Sequence, residues 1–386
     1  MLLYRYRPYS ELSMKELIYD EIFFASTSEC NDPYEGKAFA KLDGNRDAWD
    51  RLIRAAIASH PAAKFDYLVR NIVDYFTAKS PLFIDELLDT TADEIAKIGN
   101  DKLEIAIYPK MLEHIKQYVK LYIPTERYFV SFSKQNNKML MWSHYAGNHR
   151  GYCLVFRIQD RKLHQSPFWK RTKVSHETPY GVASHTSFQI EDSFLMKDIE
   201  YVSEPQYMDG FLCFPQDVVG YDPAPDVLDK HMRDFNNVYL QKHSVWEDEK
   251  EVRILLSSGT SWLAGERLSL SPHQRLFHYD STQLVGIIFG AKMPNDQRKR
   301  IKEIISEKVA RWYSNRTDEM TISDFVFFEE RLSESNRDVC IEPIEMLSVS
   351  TYIKKDAPEF DRLYQKWKDG WAIRIVGTGS SMIQII

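Results

Sequence analysis

Short runs of alternating large and polar residues lie toward both ends of this chain, with a long stretch of helical spacing between them. From Leu3 to Arg7 the alternation puts Tyr4 and Tyr6 on one face and Arg5 and Arg7 on the other, which predicts a strand that Pro8 ends. Ser13 then reads as the N-cap of a helix, with Glu16 completing a capping box. Glu21 to Ser26 predicts a second strand, leading into a turn at Asn31-Asp32-Pro33-Tyr34. From Arg46 to about Tyr122 the apolar residues recur at helical spacing, as in Trp49, Leu52, Ile53 and Ala56 or Leu68, Val69, Ile72 and Val73.

Strands resume at Arg127–Ser133 and Gly151–Phe156. Between them a short helix from Lys138 to Ala146 is expected, capped by Asn136 and stopped by Gly147. Residues 160 to 197 read as polar loop with short strands, and Ile199–Val202 as a strand. A helix from Asp226 to Ser244 then delivers the chain to Trp246-Glu247-Asp248-Glu249-Lys250-Glu251-Val252-Arg253, which turns into an apolar strand. Leu284–Gly290 is the clearest buried strand; a helix from Gln297 to Trp312 and strands at Phe325–Phe328 and Val339–Ile341 follow. The order predicts an α+β fold: a central mixed or antiparallel sheet with a helical insert at 46–122, one catalytic-like domain over 1–345, and a C-terminal extension over 346–386.

Composition narrows the function classes. The chain has 386 residues, enough for a large core, and a formal net charge of -6, which argues against a basic sheath around nucleic acid but leaves room for a local basic cleft. Cys30, Cys153, Cys213 and Cys340 lie at no metal-ligand spacing and read as reduced thiols. No run approaches the roughly 18 to 20 apolar residues of a membrane span, and no signal peptide opens the chain, so a soluble cytoplasmic protein with no membrane partner is expected.

Three groups of residues carry candidate chemistry. Glu249 and Glu251 are two apart, so in an extended chain both carboxylates face one way, and Arg253 continues that face. Arg5 and Arg7 offer planar forks for a phosphate. Ser131 and Ser133 alternate on a middle strand, where a hydroxyl can orient a neighbouring group. Together these are the parts needed to break the bond between ribose and nicotinamide: an arginine for the pyrophosphate, a serine to support the site, and a carboxylate to stabilise positive charge as the bond breaks. A second cluster, Trp142, His144 and Tyr145, offers rings for stacking and an acid or base. Asp32 and Glu35 either form a turn or join Glu249 and Glu251 around a divalent ion.

Four blocks resemble a bacterial family of unknown function: Leu3-Tyr4-Arg5-Tyr6-Arg7; Phe24-Ala25-Ser26 with Asn31-Asp32-Pro33-Tyr34; Phe132-Ser133 with Leu140-Met141-Trp142-Ser143-His144-Tyr145; and Trp246, Glu249, Glu251 and Arg253. That resemblance implies no activity. The order of arginine strand, serine strand and Glu-x-Glu strand more distantly resembles the ADP-ribosyltransferases. It implies that the central mixed or antiparallel sheet is a split sheet of the ADP-ribosyltransferase kind, with NAD as substrate, Glu251 as the catalytic carboxylate, and Glu249 on the acceptor side. Arg7 or Arg5 would bind NAD with Tyr6, Trp142 and Tyr145 nearby, and Ser131 would support the site with Ser133 beside it. His144 is a further catalytic candidate. The sequence departs from that pattern where Phe132 stands between the serines; Ser26-Thr27-Ser28 fits the serine motif literally. A toxin or anti-phage effector that modifies a nucleic acid or protein acceptor, held in check by a neutralising antitoxin, follows by analogy alone. A metal-dependent hydrolase or nuclease and a non-catalytic nucleotide- or protein-binding module are the rival readings.

Overall fold

The computed structural model describes residues 1–36, 39–122, 127–177, 185–256, 270–314, 319–322, 324–333, 338–348, 350–371, 373–376 and 382–385. The fold is mixed α+β, built on an eleven-stranded mixed sheet. Across the sheet the strands run Thr351–Lys354, Val339–Ser348, Phe325–Leu332, Leu284–Phe289, Tyr152–Arg157, Leu2–Arg7, Tyr128–Ser133, Glu251–Leu256, Ser193–Asp198 and Lys162–His164. Leu284–Phe289 and Phe325–Leu332 pair in parallel, and the pairs on either side of them are antiparallel. Leu2–Arg7 meets Tyr128–Ser133 only at Tyr4 and Ser133, and the far end of that same edge is taken by Ala25–Ser26.

Alternation decides what each face does. Residues directly paired across strands point to the same side. Tyr4, Ser133 and Glu251 therefore share one face, with Ser131 and Arg253 beside them. Val130, Phe132, Val252 and Ile254 point to the other face. There they join Leu3, Leu154 and Phe156 in the main core, beneath the helices Glu11–Tyr19 and Asn295–Ser314. Arg5 pairs with Leu154 and Arg7 with Tyr152, so both arginines also lie on this second face.

The helical stretch at 46–122 folds as helices Arg46–Ala56, Asp66–Lys79, Ile84–Asp89, Ala92–Ala96 and Lys102–Tyr122 around Trp49, Phe76 and Ile115. It is not closed on itself. Met208, Phe211, Phe214 and Val218 complete its core, and Tyr207–Asp209 pairs with Phe39–Leu42. The boundary expected at 345/346 falls inside Val339–Ser348, whose partner Thr351–Lys354 forms the sheet edge. Trp367, from the helix Phe360–Lys368, packs in the sheet-face cluster of Tyr6, Trp142 and Cys153. The segment after 345 is thus integral to the sheet, because its apolar residues cover a face that would otherwise be wet. No described helix is long and apolar enough to cross a membrane.

Local signals were displaced at three places. Ser10, not Ser13, caps the first helix; Ser13 is its box partner, and Glu16 pairs instead with Arg7. Asn136 does not cap Met139–Tyr145, but its carbonyl accepts the Trp142 indole N–H at 2.8 Å. The helix expected up to Ser244 ends at Asn237, and Gln241–His243 forms a strand parallel to Glu200–Val202.

Candidate active site

The first shared face of the sheet carries a buried cluster of charge. Glu251 opens the strand Glu251–Leu256, and Ser131 on the neighbouring strand donates its hydroxyl to Glu251 Oε1 at 2.5 Å. Arg253, two residues along, donates Nε to Glu251 Oε1 at 2.6 Å and Nη2 to Glu251 Oε2 at 3.0 Å. The far side of the same guanidinium grips Glu35 in bidentate fashion, at 2.6 and 2.8 Å, and donates to the Tyr239 carbonyl. Its plane lies over the Phe129 ring, 4.3 Å from the centroid. This fork can satisfy two carboxylates at once because it is planar and carries five donors.

Lys242 closes the cluster. Its Nζ lies 2.7 Å from Glu249 Oε2, 3.3 Å from Glu251 Oε2 and 3.7 Å from Glu35 Oε2, with the Trp246 ring at 5.0 Å. Glu249 is not on the strand. It ends the short helix Ser244–Glu249, and Lys250 follows with φ 43°. The expectation of an extended Glu249–Glu251 pair is therefore corrected: the left-handed residue swings the chain, and Lys242 brings the two carboxylates back together. Tyr145 donates to Glu249 Oε1 at 2.7 Å and accepts from Asn31 at 3.1 Å. Tyr201 accepts the Glu251 backbone N–H at 2.7 Å.

Burial pushes the Glu251 carboxyl up, but Arg253, then Lys242 and the Ser131 hydroxyl, outweigh it and hold the group at about 2. Glu251 is thus anionic throughout the neutral range. Glu35 goes the other way: burial and the Glu251 charge raise it above the ordinary carboxyl value. Burial and the Glu249 charge raise the Tyr145 phenol, which remains a donor. Glu251 is depressed in the folded chain, so its contribution is complete above the unfolded value near 4.5 and is lost as pH falls through that value toward 2. That contribution is on the order of 3 kcal/mol. Glu35, being raised, acts in the opposite sense above 4.5. Urea unfolding between pH 5 and pH 3 is expected to show a steep loss of stability in the wild type and a flatter one in Glu251→Gln. Equal slopes would contradict the ion-paired assignment.

The structure gathers some sequence candidates and scatters others. Glu249, Glu251, Ser131 and Tyr145 converge. Ser133 supports them by donating to the Glu249 carbonyl at 2.6 Å and accepting from Gln135. Arg5 and Arg7 do not join them: strand alternation sends both to the opposite face, where Arg7 pairs with Glu16. Burial, then the charge of Arg7, lowers Arg5 to about 10. Tyr6 is on the right face but is taken up by Trp142, 5.1 Å away ring to ring, and by the Gln135 carbonyl. Trp142 is fully buried and so cannot line a cleft. His144 is exposed, its ring 6.2 Å from that of Tyr145. Asp32 makes the expected turn, accepting from Tyr34 N, and Glu35 joins the cluster. Ser26 and Ser28 bond to each other at 2.9 Å. The rival metal reading finds three of its carboxylates, Glu35, Glu249 and Glu251, already facing Lys242 or Arg253.

Lys242 and Tyr201 were not among the sequence candidates. Both lie on the small parallel pair Glu200–Val202 and Gln241–His243: the first strand is the one expected at Ile199–Val202, whereas the second falls where a helix was expected, and their pairing has no local pattern to announce it.

A family described as a protein of unknown function, DUF2971, matches residues 141–254 of this chain. The matched stretch contains Tyr145, Lys242, Glu249, Glu251 and Arg253, and leaves out Arg5, Arg7, Glu35 and Ser131. No curated protein and no solved structure matches the chain.

Proposed function

We propose that this chain is an ADP-ribosyltransferase-like enzyme that cleaves the nicotinamide–ribose bond of NAD and passes ADP-ribose to a nucleic acid or protein acceptor. One observation carries the reading: Glu251 is a buried carboxylate held anionic by Arg253 and Lys242 and oriented by the serine of the adjacent strand. A fixed negative charge of this kind stabilises a ribosyl cation, and a depressed carboxyl is suited to that task rather than to donating a proton. Glu249 and Tyr145 stand beside it for the acceptor side. The single ladder pair between Leu2–Arg7 and Tyr128–Ser133, Tyr4 with Ser133, supports a split sheet of the transferase kind. The first-strand arginines play no part in this version. A toxin or defence role, with an antitoxin to neutralise it, extends the proposal by analogy only.

The test is nicotinamide release from NAD by the purified full chain, with and without added nucleic acid or protein. Release is expected to survive a chelator. It should fall by about 100-fold or more in Glu251→Gln, the scale of losing one preorganised electrostatic group. Because Glu251→Gln also weakens the fold, Ser131→Ala serves as the second variant: it keeps both ion pairs and is expected to lower the rate by roughly tenfold, about the worth of one hydrogen bond to a charged group. Wild-type chain without release under any of these conditions, or a folded Glu251→Gln that retains full release, would sink the proposal.

A further inference from the structure

A second constellation lies on the same face of the sheet but in its other half, where Phe325–Leu332 carries Glu330, separated from Glu251–Leu256 by the four strands Leu284–Phe289, Tyr152–Arg157, Leu2–Arg7 and Tyr128–Ser133. Ser143 Oγ sits 3.2 Å from His149 Nε2, and His149 Nδ1 sits 2.6 Å from Glu330 Oε1. Glu330 is almost completely buried, 1% exposed, and His149 is 7% exposed, whereas Ser143 is only half-buried. We propose that Ser143, His149 and Glu330 form a nucleophile–base–carboxylate relay that acts on a carboxylic ester or thioester.

Roles follow from what each atom can do. Glu330 Oε2 accepts the Ala291 backbone N–H at 2.9 Å, so the carboxylate is fixed on one side and receives Nδ1–H on the other. A carboxylate can only accept; Nε2 is then left as the acceptor for the Ser143 hydroxyl. That is the order a serine nucleophile requires. The imidazole is held by its backbone as well. His149 N donates to the Trp142 carbonyl at 3.2 Å and its own carbonyl accepts from Lys292 N at 2.9 Å. Gly147, Asn148 and His149 all have positive φ, at 56°, 56° and 67°. A left-handed run of this kind is strained for His, and here it aims the ring back at the helix that carries Ser143.

The surroundings indicate the substrate class. Met139 and Leu140 lie four and three positions before Ser143 on the helix, hence on its side of the surface, and they are 43% and 56% exposed. An apolar acyl chain could cover them. Tyr145, which serves the Glu249 cluster, projects from a different side of the helix. The step balances without a cofactor. Ser143 Oγ attacks the acyl carbon while its proton passes to His149 Nε2. The bond to the leaving alcohol or thiol breaks, and that group takes the proton from His149. Water then attacks the acyl-serine through the same base, releasing the acid and restoring the hydroxyl. Glu330 is a positioning residue in this scheme.

The experiment uses the purified full chain with a fluorophosphonate probe, in which the P–F bond breaks as a bond to the serine oxygen forms. Labelling is expected at Ser143, located by mass spectrometry of the tryptic peptide, and it should vanish in Ser143→Ala. His149→Asn retains a residue tolerant of positive φ while removing the base, and should slow labelling at least 100-fold in chain that still melts cooperatively, with some loss of melting temperature because Glu330 Oε1 loses its partner. Glu330→Gln should shift the pH profile of labelling, which a purely structural carboxylate would not do. Hydrolysis of p-nitrophenyl butyrate should follow the same order of variants. Absence of labelling, labelling of a different serine, or an undiminished rate in folded His149→Asn would overturn the relay.

Discussion

Arg253→Met is expected to lower the free energy of unfolding by about 3–5 kcal/mol, the penalty for stripping one partner from a buried ion pair. Arg253 is 1% exposed and is the hub of the site: Glu35 and Glu251 both bind it directly, at 2.6 to 2.8 Å. Three buried carboxylates face two buried cations here, so the cluster already carries an excess of negative charge when fully ionised. Without Arg253, Lys242 alone would have to balance Glu35, Glu249 and Glu251. The folded chain can respond only by protonating carboxyls, and Glu35, already raised by burial, would be the first to do so. The check is urea unfolding at neutral pH. A loss below about 1 kcal/mol, the worth of an exposed pair, would mean that the cluster is solvated. Adding Glu35→Gln to Arg253→Met should restore part of the loss, because it removes one stranded charge. If the losses simply add, the two residues do not interact.

Gly151→Ala is expected to remove about 3 kcal/mol or more, or to prevent folding, for reasons of space rather than charge. A Cβ at Gly151 would sit 2.2 Å from the Arg7 carbonyl oxygen and 2.8 Å from that of Ala146. Both obstacles are backbone, so neither can swing aside as a side chain could. Gly151 N–H also donates to the Ala146 carbonyl at 2.7 Å, and its own carbonyl accepts from Gly290 N–H at 2.9 Å. Gly290 is tight in the same way, its Cβ position 2.3 Å from the His149 carbonyl oxygen. The two glycines thus let the 146–149 turn nestle between the first strand and the end of Leu284–Phe289, which holds His149 against Glu330. Gly147→Ala provides the control. It has φ 56° but its nearest neighbour is Pro8 Cβ at 3.6 Å, so only the left-handed backbone is penalised, by about 1–2 kcal/mol. Thermal melts of the three variants should rank Gly151→Ala and Gly290→Ala well below Gly147→Ala. Equal melting temperatures would refute the close approach.

Both effects lie at positions whose importance the linear sequence conceals in different degrees. Gly151 is visible as the first residue of the strand expected over Gly151–Phe156. That its missing side chain makes room for two separate backbones is not visible, since Arg7 lies far away in the chain. Spacing along the strand places Arg253 on the Glu251 face, and there it grips that carboxylate. Its second partner, Glu35, reaches it across 218 positions, which no local period encodes.

The sequence by itself determined the elements and the sides of each strand. Alternation and helical spacing depend on side-chain direction along one backbone, and neighbouring residues carry all of that information. The strands at 2–7, 128–133, 152–157, 251–256 and 284–289 and the helices of 46–122 were therefore legible, as was the placing of Ser131 and Ser133 on one face. The same alternation, combined with strand register, separates Arg5 and Arg7 from Glu251, but register is a relation between strands and appears only when they pair. The tertiary structure alone decided which carboxylate would be gripped, by whom, and at what protonation. Lys242 arrives on a strand too short to leave a pattern, Lys250 breaks the extension that Glu249 and Glu251 were expected to share, and the left-handed turn makes His149, not His144, the histidine with partners on both nitrogens. Burial and Coulomb attraction act through space, so the charge state of Glu251 is a property of the assembled face and not of the Glu-x-Glu spelling.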